Sequence, residues 1–285
     1  MRALAFDGRM GASGDMILAA LIDAGADADV LEPVTEALPV AYRIDDTEKT
    51  GIAATTVDVV FPDDDHAHDH ADGDGEHDHD HSHGPDDTED EHAHEGTGDG
   101  TDTPAEGHGP HRSYREGCEI VREMDLEPAI EADTLAIFEL LGEAEAAVHG
   151  EALESIHFHE VGADDAVADV VGAAALLHDL EPERVVTTPL ATGGGAVAMS
   201  HGEYLVPTPS VVELAQRADW SLRGGPVDAE LLMPTGAAIL AHVADGVDSL
   251  PALALESSGY GAGGYDLDPH PNVLRTLVGT GEGRW

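Results

Sequence analysis

The stretch Arg2-Ala-Leu-Ala-Phe-Asp-Gly-Arg-Met-Gly-Ala-Ser-Gly-Asp15, running on through Met16 to Ala24, decides the fold. Arg2 to Phe6 is a short apolar run and reads as a buried strand. A helix begins near Asp15, where a carboxylate suits the positive end of the dipole, and Gly25 stops it. Between them Gly8, Gly11 and Gly14 let backbone N–H groups turn inward, and Ser13 stands where it can cap or donate. A strand, a glycine-rich loop and a helix start form the ligand-facing turn of an α/β sheet, with Asp7 at the strand's carboxyl end as a site candidate. The spacing matches neither the Walker A nor the dinucleotide pattern, and the loop has no lysine. One reading seats a phosphate or carboxylate on Gly11, Ser13, Gly14 and Asp15. The other is a plain tight turn.

A second stretch repeats the hand-over from strand to helix: Ser155-Ile-His-Phe-His-Glu-Val-Gly-Ala-Asp-Asp-Ala-Val-Ala-Asp-Val-Val-Gly172. Ser155 to His159 alternates, so His157 and His159 project from one face of a short strand. Asp164 and Asp165 open a helix whose apolar face carries Val167, Val170, Val171, Ala174 and Leu177. Asp165 and Asp169 lie one turn apart on the same side. Two imidazoles and these carboxylates form a mixed nitrogen and oxygen set that suits zinc, nickel, iron or manganese. The alternative is two strand histidines followed by a well-charged helix start.

Outward from these stretches, helices are expected at Val30 to Leu38, Tyr114 to Met124, Pro128 to Val148, Thr208 to Gln216 and Thr235 to Val243. Thr208 and Thr235 are placed as caps. Strands are expected at Thr55 to Phe61, Val185 to Leu190, Val197 to Met199 and from Pro271 to about Val278. Ser257 to Asp266 reads as a further glycine-rich loop. The fold class is therefore α/β or α+β, a mixed sheet with flanking helices. His201, between Ser200 and Gly202, is a lone loop histidine and a candidate ligand. Arg275, in a chain poor in arginine, suits a phosphate or carboxylate, or a structural ion pair.

The formal net charge is −47, from 59 acidic against 12 basic residues, and Lys49 is the single lysine. Nucleic acid and anionic membranes need clustered positive charge and are excluded as partners. The acids spread along the whole chain, as on a surface adapted to high salt, where screening makes such repulsion tolerable. Cys118 is the only cysteine, so no disulfide framework exists within one chain. No signal peptide or apolar run long enough to cross a membrane is present, and the chain reads as a soluble cytoplasmic protein.

Residues 62–112 interrupt the core, which is divided between 1–61 and 113–285. Pro62 to His111 holds 11 of the 18 histidines and 18 acidic residues, without lysine or arginine. Lacking any aliphatic residue larger than alanine, it is expected to be a disordered insertion. His77, His79, His81 and His83 alternate with acids or serine, and His66, His68 and His70 do much the same. Such a tract binds late divalent metals in loose, multi-site fashion.

Several segments together resemble one family. They are Phe6-Asp-Gly-Arg-Met-Gly-Ala-Ser-Gly-Asp-Met16, His157-Phe-His-Glu-Val-Gly-Ala-Asp-Asp-Ala168, Thr188-Pro-Leu190 with His201-Gly202, Pro207-Thr-Pro-Ser210, Met233-Pro-Thr-Gly-Ala-Ala238 and Pro271-Asn-Val-Leu-Arg275. In this order, and with a histidine-rich insertion, they are similar to the LarC family of nickel-insertion proteins over nearly the whole chain. The resemblance implies a cyclometallase that inserts nickel into pyridinium-3,5-bisthiocarboxylic acid mononucleotide, with CTP consumed. It also implies a further C-terminal domain, associated with CTP and metal binding, so this chain looks like the N-terminal portion and a separate partner could supply the rest. On that reading the tract collects nickel and passes it to His157, His159 and nearby carboxylates. The glycine loop, with Arg275, holds the substrate phosphate, and Asp7 or Glu160 accepts the proton lost on metallation. A nickel storage protein or metallochaperone, and a metal-dependent phosphate-ester hydrolase, are the competing readings.

Overall fold

The computed structural model describes residues 1–62, 103–104, 112–156, 164–199 and 202–281. In chain order the strands are β1 (Arg2–Asp7), β2 (Ala41–Lys49), β3 (Ile52–Phe61), β4 (Thr103–Pro104), β5 (Arg184–Thr187), β6 (Leu190–Ala191), β7 (Ala196–Met199), β8 (Gly202–Leu205), β9 (Leu222–Arg223), β10 (Asp245–Gly246), β11 (Ala254–Ala262) and β12 (Val273–Thr280). The α-helices are α1 (Gly14–Asp23), α2 (Glu32–Ala37), α3 (Tyr114–Glu123), α4 (Pro128–His149), α5 (Asp164–Leu180), α6 (Pro209–Arg217) and α7 (Pro234–Val243).

One mixed sheet runs β10-β5-β1-β12-β11-β3-β2, with β4 added to β3. β1 lies parallel to β5 and antiparallel to β12, so it occupies the middle of the sheet. Its alternation sorts the layers. Leu4 and Phe6 point into the main core together with Leu274 and Val278 and the apolar faces of α1, α4, α5 and α7. Ala54, Ala262 and Val273 instead make a small separate cluster with Tyr260. The expected apolar face of α5 is buried throughout, from Val167 to Leu177.

The sequence reading needs correcting at four places. The first part of the expected loop, Ser257 to Ala262, is strand: residues 254–262 form β11, paired with β12, and only residues 263–266 are loop. Its glycines mark close approach of a helix. A Cβ at Gly259 would lie 2.1 Å from the Ala20 carbonyl oxygen, and one at Gly261 would lie 2.0 Å from that of Met16. Ser155 belongs to a 3₁₀ turn, Leu153–Ser155, rather than to a strand, while residues 157–163 lie outside the described residues. Val30 to Leu38 is split into a 3₁₀ turn, Ala28–Leu31, and the short α2. Neither threonine is a side-chain cap. Thr208 occupies the N-cap of α6 but donates its hydroxyl to buried Glu230 at 3.0 Å, and Thr235 lies inside α7, whose N-cap is Met233.

The histidine-rich tract lies outside the described residues, except that Thr103–Pro104 pair antiparallel with Phe61 and Val60. Arg112 then anchors the next segment by donating from Nε to Asp164 Oδ1 at 2.6 Å, which ties the approach to α3 to the first turn of α5.

Candidate functional site

The loop after β1 is held from both sides. Gly11 N–H donates to the Gly8 carbonyl at 3.0 Å, and Ala12 N–H donates to Leu231 at 2.9 Å. Gly11 has φ of +82°, and a Cβ there would meet the Leu231 carbonyl oxygen at 1.8 Å, so no other residue fits. Met233 N–H returns a bond to the Ala12 carbonyl at 3.0 Å. This brings the start of α7 against the start of α1: a Cβ on Gly236 would lie 2.5 Å from the Ala12 oxygen.

A cavity of about 130 Å³ opens at this junction. Ser13, Gly14 and Asp15 line it from α1, Asp165 and Asp169 from α5, Met233 and Thr235 from α7, and Val57 to Val59 from β3. Asp165 and Asp169 share a side, as their spacing requires. The first turns of three helices thus face one small space, and their positive ends favour ionised carboxylates there. Asp169 presses on the α1 terminus itself, since a Cβ at Gly14 would lie 2.0 Å from its Oδ2. Its charge is also felt at Tyr42, whose hydroxyl donates to the Ala168 carbonyl at 2.8 Å. Burial, and then the Asp169 charge, push the Tyr42 pKa well above its ordinary value.

Asp7 ends β1 with its carboxylate buried. Arg9 grips it with two bonds, Nε to Oδ1 at 2.8 Å and Nη2 to Oδ2 at 2.6 Å, and Arg275 Nη2 reaches Oδ2 from β12. Burial alone would raise the Asp7 pKa, but the two guanidinium groups outweigh it and hold the carboxyl below its ordinary range. The same pairing raises Arg9 above its usual value. Arg9 was missed at the level of sequence. The available signal was an arginine, in a chain with few, two residues after the strand aspartate.

The structure therefore brings Ser13, Gly14, Asp15, Asp165 and Asp169 together around the cavity, and Asp7 with Arg275 at the end of the central strands. His157, His159, Glu160 and His201 lie outside the described residues, as do His66, His68, His70, His77, His79, His81 and His83. Among the described residues no group of three or more His, Cys, Asp or Glu side chains is arranged to hold a metal ion. A different cluster was not foreseen. In a cleft of about 1130 Å³, His178 Nε2 and His242 Nε2 sit 2.8 and 2.9 Å from the two oxygens of Asp133. Burial opposes ionisation of Asp133, but both histidines lower its pKa, and the trio joins α4 to the last turns of α5 and α7.

No helix among the described residues is long and apolar enough to cross a membrane. Fold and site together define an α/β protein whose carboxylates and arginines gather beyond the carboxyl end of its central strand. A family described as Nickel insertion protein matches residues 4–284, and the chain belongs to that family. It is similar to proteins named for nickel insertion in Methanococcoides burtonii, 37% identical over 279 residues, and Methanosarcina acetivorans, 38% identical over 280. Each alignment covers 98% of this chain and 59% of the relative. A relative from a Nocardioides species, 35% identical over 281 residues, covers 96% of this chain and 58% of its own, and is named pyridinium-3,5-bisthiocarboxylic acid mononucleotide nickel insertion protein. The chain thus spans about three fifths of the length of these relatives. No solved structure matches it.

Proposed function

We propose that this chain takes part in inserting nickel into pyridinium-3,5-bisthiocarboxylic acid mononucleotide. The observation that carries the reading is the family match from residue 4 to residue 284, joined to the carboxylates that face one cavity at three helix starts. Nickel is the substrate here. The histidine-rich tract gathers it, and His157 and His159, immediately before α5, pass it toward Asp165 and Asp169. The loop carrying Gly11, Ser13, Gly14 and Asp15 faces the mononucleotide. Metallation of the pyridinium carbon releases a proton, for which Asp7 and Glu160 are the candidate acceptors. Asp7, already shared between two arginines, is the weaker base, and this favours Glu160 for the step.

CTP and a C-terminal domain of the kind the family resemblance implies belong to the proposed reaction. The test is activation of an apo nickel-pincer enzyme by the purified chain, with nickel, substrate and CTP, in the presence and absence of a candidate C-terminal partner. Activation only with the partner is expected. Nickel bound in bulk by the tract, with no activation under any combination, would leave storage as the function.

A further inference from the structure

We propose that Arg9 and Arg275, held by the buried Asp7 carboxylate, form the seat for the phosphate group of the substrate. This deepens the nickel-insertion reading and rests on it for the identity of the ligand. It moves the anion away from the first turn of α1.

Charge is the first argument. Elsewhere among the described residues Arg43 sits with Asp45 and Asp58, Arg217 with Glu143 and Glu213, and Arg112 with Asp164. At Asp7 the ratio is reversed, with two guanidinium groups on one carboxylate, which leaves a local excess of one positive charge in a chain of net charge −47. Arg9 spends one edge of its fork on Asp7, while its side chain remains 59% exposed, so its outer N–H groups face solvent. Arg275 is 29% exposed. A buried carboxylate that orders two half-exposed guanidinium groups is a preorganised fork for phosphate or carboxylate oxygens.

Position is the second argument. The pair lies at the carboxyl end of β1, between parallel β5 and antiparallel β12, where ligands of open α/β sheets bind. Thr188 continues β5 beside Asp7, donating its N–H to the Phe6 carbonyl at 3.1 Å. Its hydroxyl is buried and has no hydrogen-bond partner among the described residues, as expected where a polar ligand completes the set. The competing seat is unsuited to an anion, because the α1 terminus already faces the Asp169 carboxylate across Gly14. The anion is thereby placed at the arginine pair, away from the Asp165 and Asp169 carboxylates.

The test uses nicotinic acid mononucleotide, its riboside and inorganic phosphate as probes of the full chain, by calorimetry and by ¹⁵N spectra of arginine Nε–H. Expected is mononucleotide binding that shifts the Arg9 and Arg275 signals, competition by phosphate, and at least tenfold weaker binding of the riboside. Arg9→Gln and Arg275→Gln should each weaken the mononucleotide about tenfold or more and leave nickel binding unchanged. The wild-type spectra need no substitution, so a variant that fails to fold does not remove the test. Mononucleotide binding that leaves both arginine signals unmoved, equal affinity for the riboside, or no binding at all overturns the seat. Binding through the arginines without nickel insertion in any partner combination would overturn the proposed function and keep the seat.

Discussion

Replacing Gly14 by alanine sets two effects against each other, and the structure decides the sign. Alanine is the better helix former by up to about 1 kcal/mol, less in a first turn than in a helix interior. Against this, the new Cβ would lie 2.0 Å from Asp169 Oδ2, 2.5 Å from its Cγ and 2.7 Å from its Cβ. The oxygen can swing away, but the Asp169 Cβ is fixed by the α5 backbone. Reaching an ordinary carbon contact near 3.4 Å requires α1 and α5 to part by about 0.7 Å in a close-packed region, and overpacking of this kind costs about 1–3 kcal/mol. The net expectation is destabilisation by about 1–2 kcal/mol, read as an earlier urea midpoint at unchanged slope. Asp169→Gly, which removes the Cβ together with the carboxylate, supplies the control. In the double variant the clash is gone, so the loss should be smaller than the sum of the single losses by about 1 kcal/mol or more. A Gly14→Ala chain as stable as wild type, or strictly additive losses, would refute the account of Gly14 as room made for Asp169.

Four further outcomes are expected. Gly261→Ala meets backbone, 2.0 Å from the Met16 oxygen and 2.6 Å from the Ala20 nitrogen, so α1 must lift off β11; a loss of about 2–3 kcal/mol is expected by thermal unfolding, and a gain would overturn the packing argument. Asp7 and Asp133 have folded pKa values held below the ordinary aspartate value of 3.8, so their contribution is complete above about pH 4 and is lost as pH falls through the lowered values. Acid unfolding of Asp7→Asn should consequently show a shallower loss between pH 4 and 2 than wild type, and an identical profile would count against the pairing. Removing residues 63–102, which spares Thr103–Pro104 on β3, should shift the thermal midpoint by only a few degrees and abolish most weak nickel sites. In that shortened chain, His157→Ala with His159→Ala should remove one tight site, and undiminished tight binding would separate those histidines from nickel.

Much of the fold was legible because its signals are local. The buried strand at Arg2, the helix stopped by Gly25 and the α5 face from Val167 to Leu177 all follow from periodicity and glycine placement over a few residues. β11 was not legible for a physical reason: Gly259 and Gly261 carry the composition of a loop, yet are glycine because α1 lies on them, a contact more than 200 residues distant in sequence. Thr208 and Thr235 show the same limit at helix starts, where a hydroxyl answers to Glu230 or a cavity rather than to its own helix. At the candidate site, spacing alone placed Asp165 and Asp169 on one side of α5. What spacing could not reveal is that Asp169 closes on Gly14, or that Arg9 and Arg275 meet at Asp7, since strands from opposite ends of the chain make that meeting.

The pairing of Thr103 with Phe61 returns the chain to β3 after one segment of the tract, residues 63–102. Both its ends are fixed as neighbours on β3, the strand that also contributes Val57 to Val59 to the carboxylate cavity. Residues 62–102 can therefore carry an imidazole no further from β3 than half their extended length, about 70 Å whatever path they take. Under the proposed function, a metal still held by an imidazole of this segment would meet its acceptor at an effective concentration set by chain length, in the millimolar range for short tethers and lower for longer ones. On that proposal, delivery becomes a search within one molecule, whose rate is independent of how dilute the protein is.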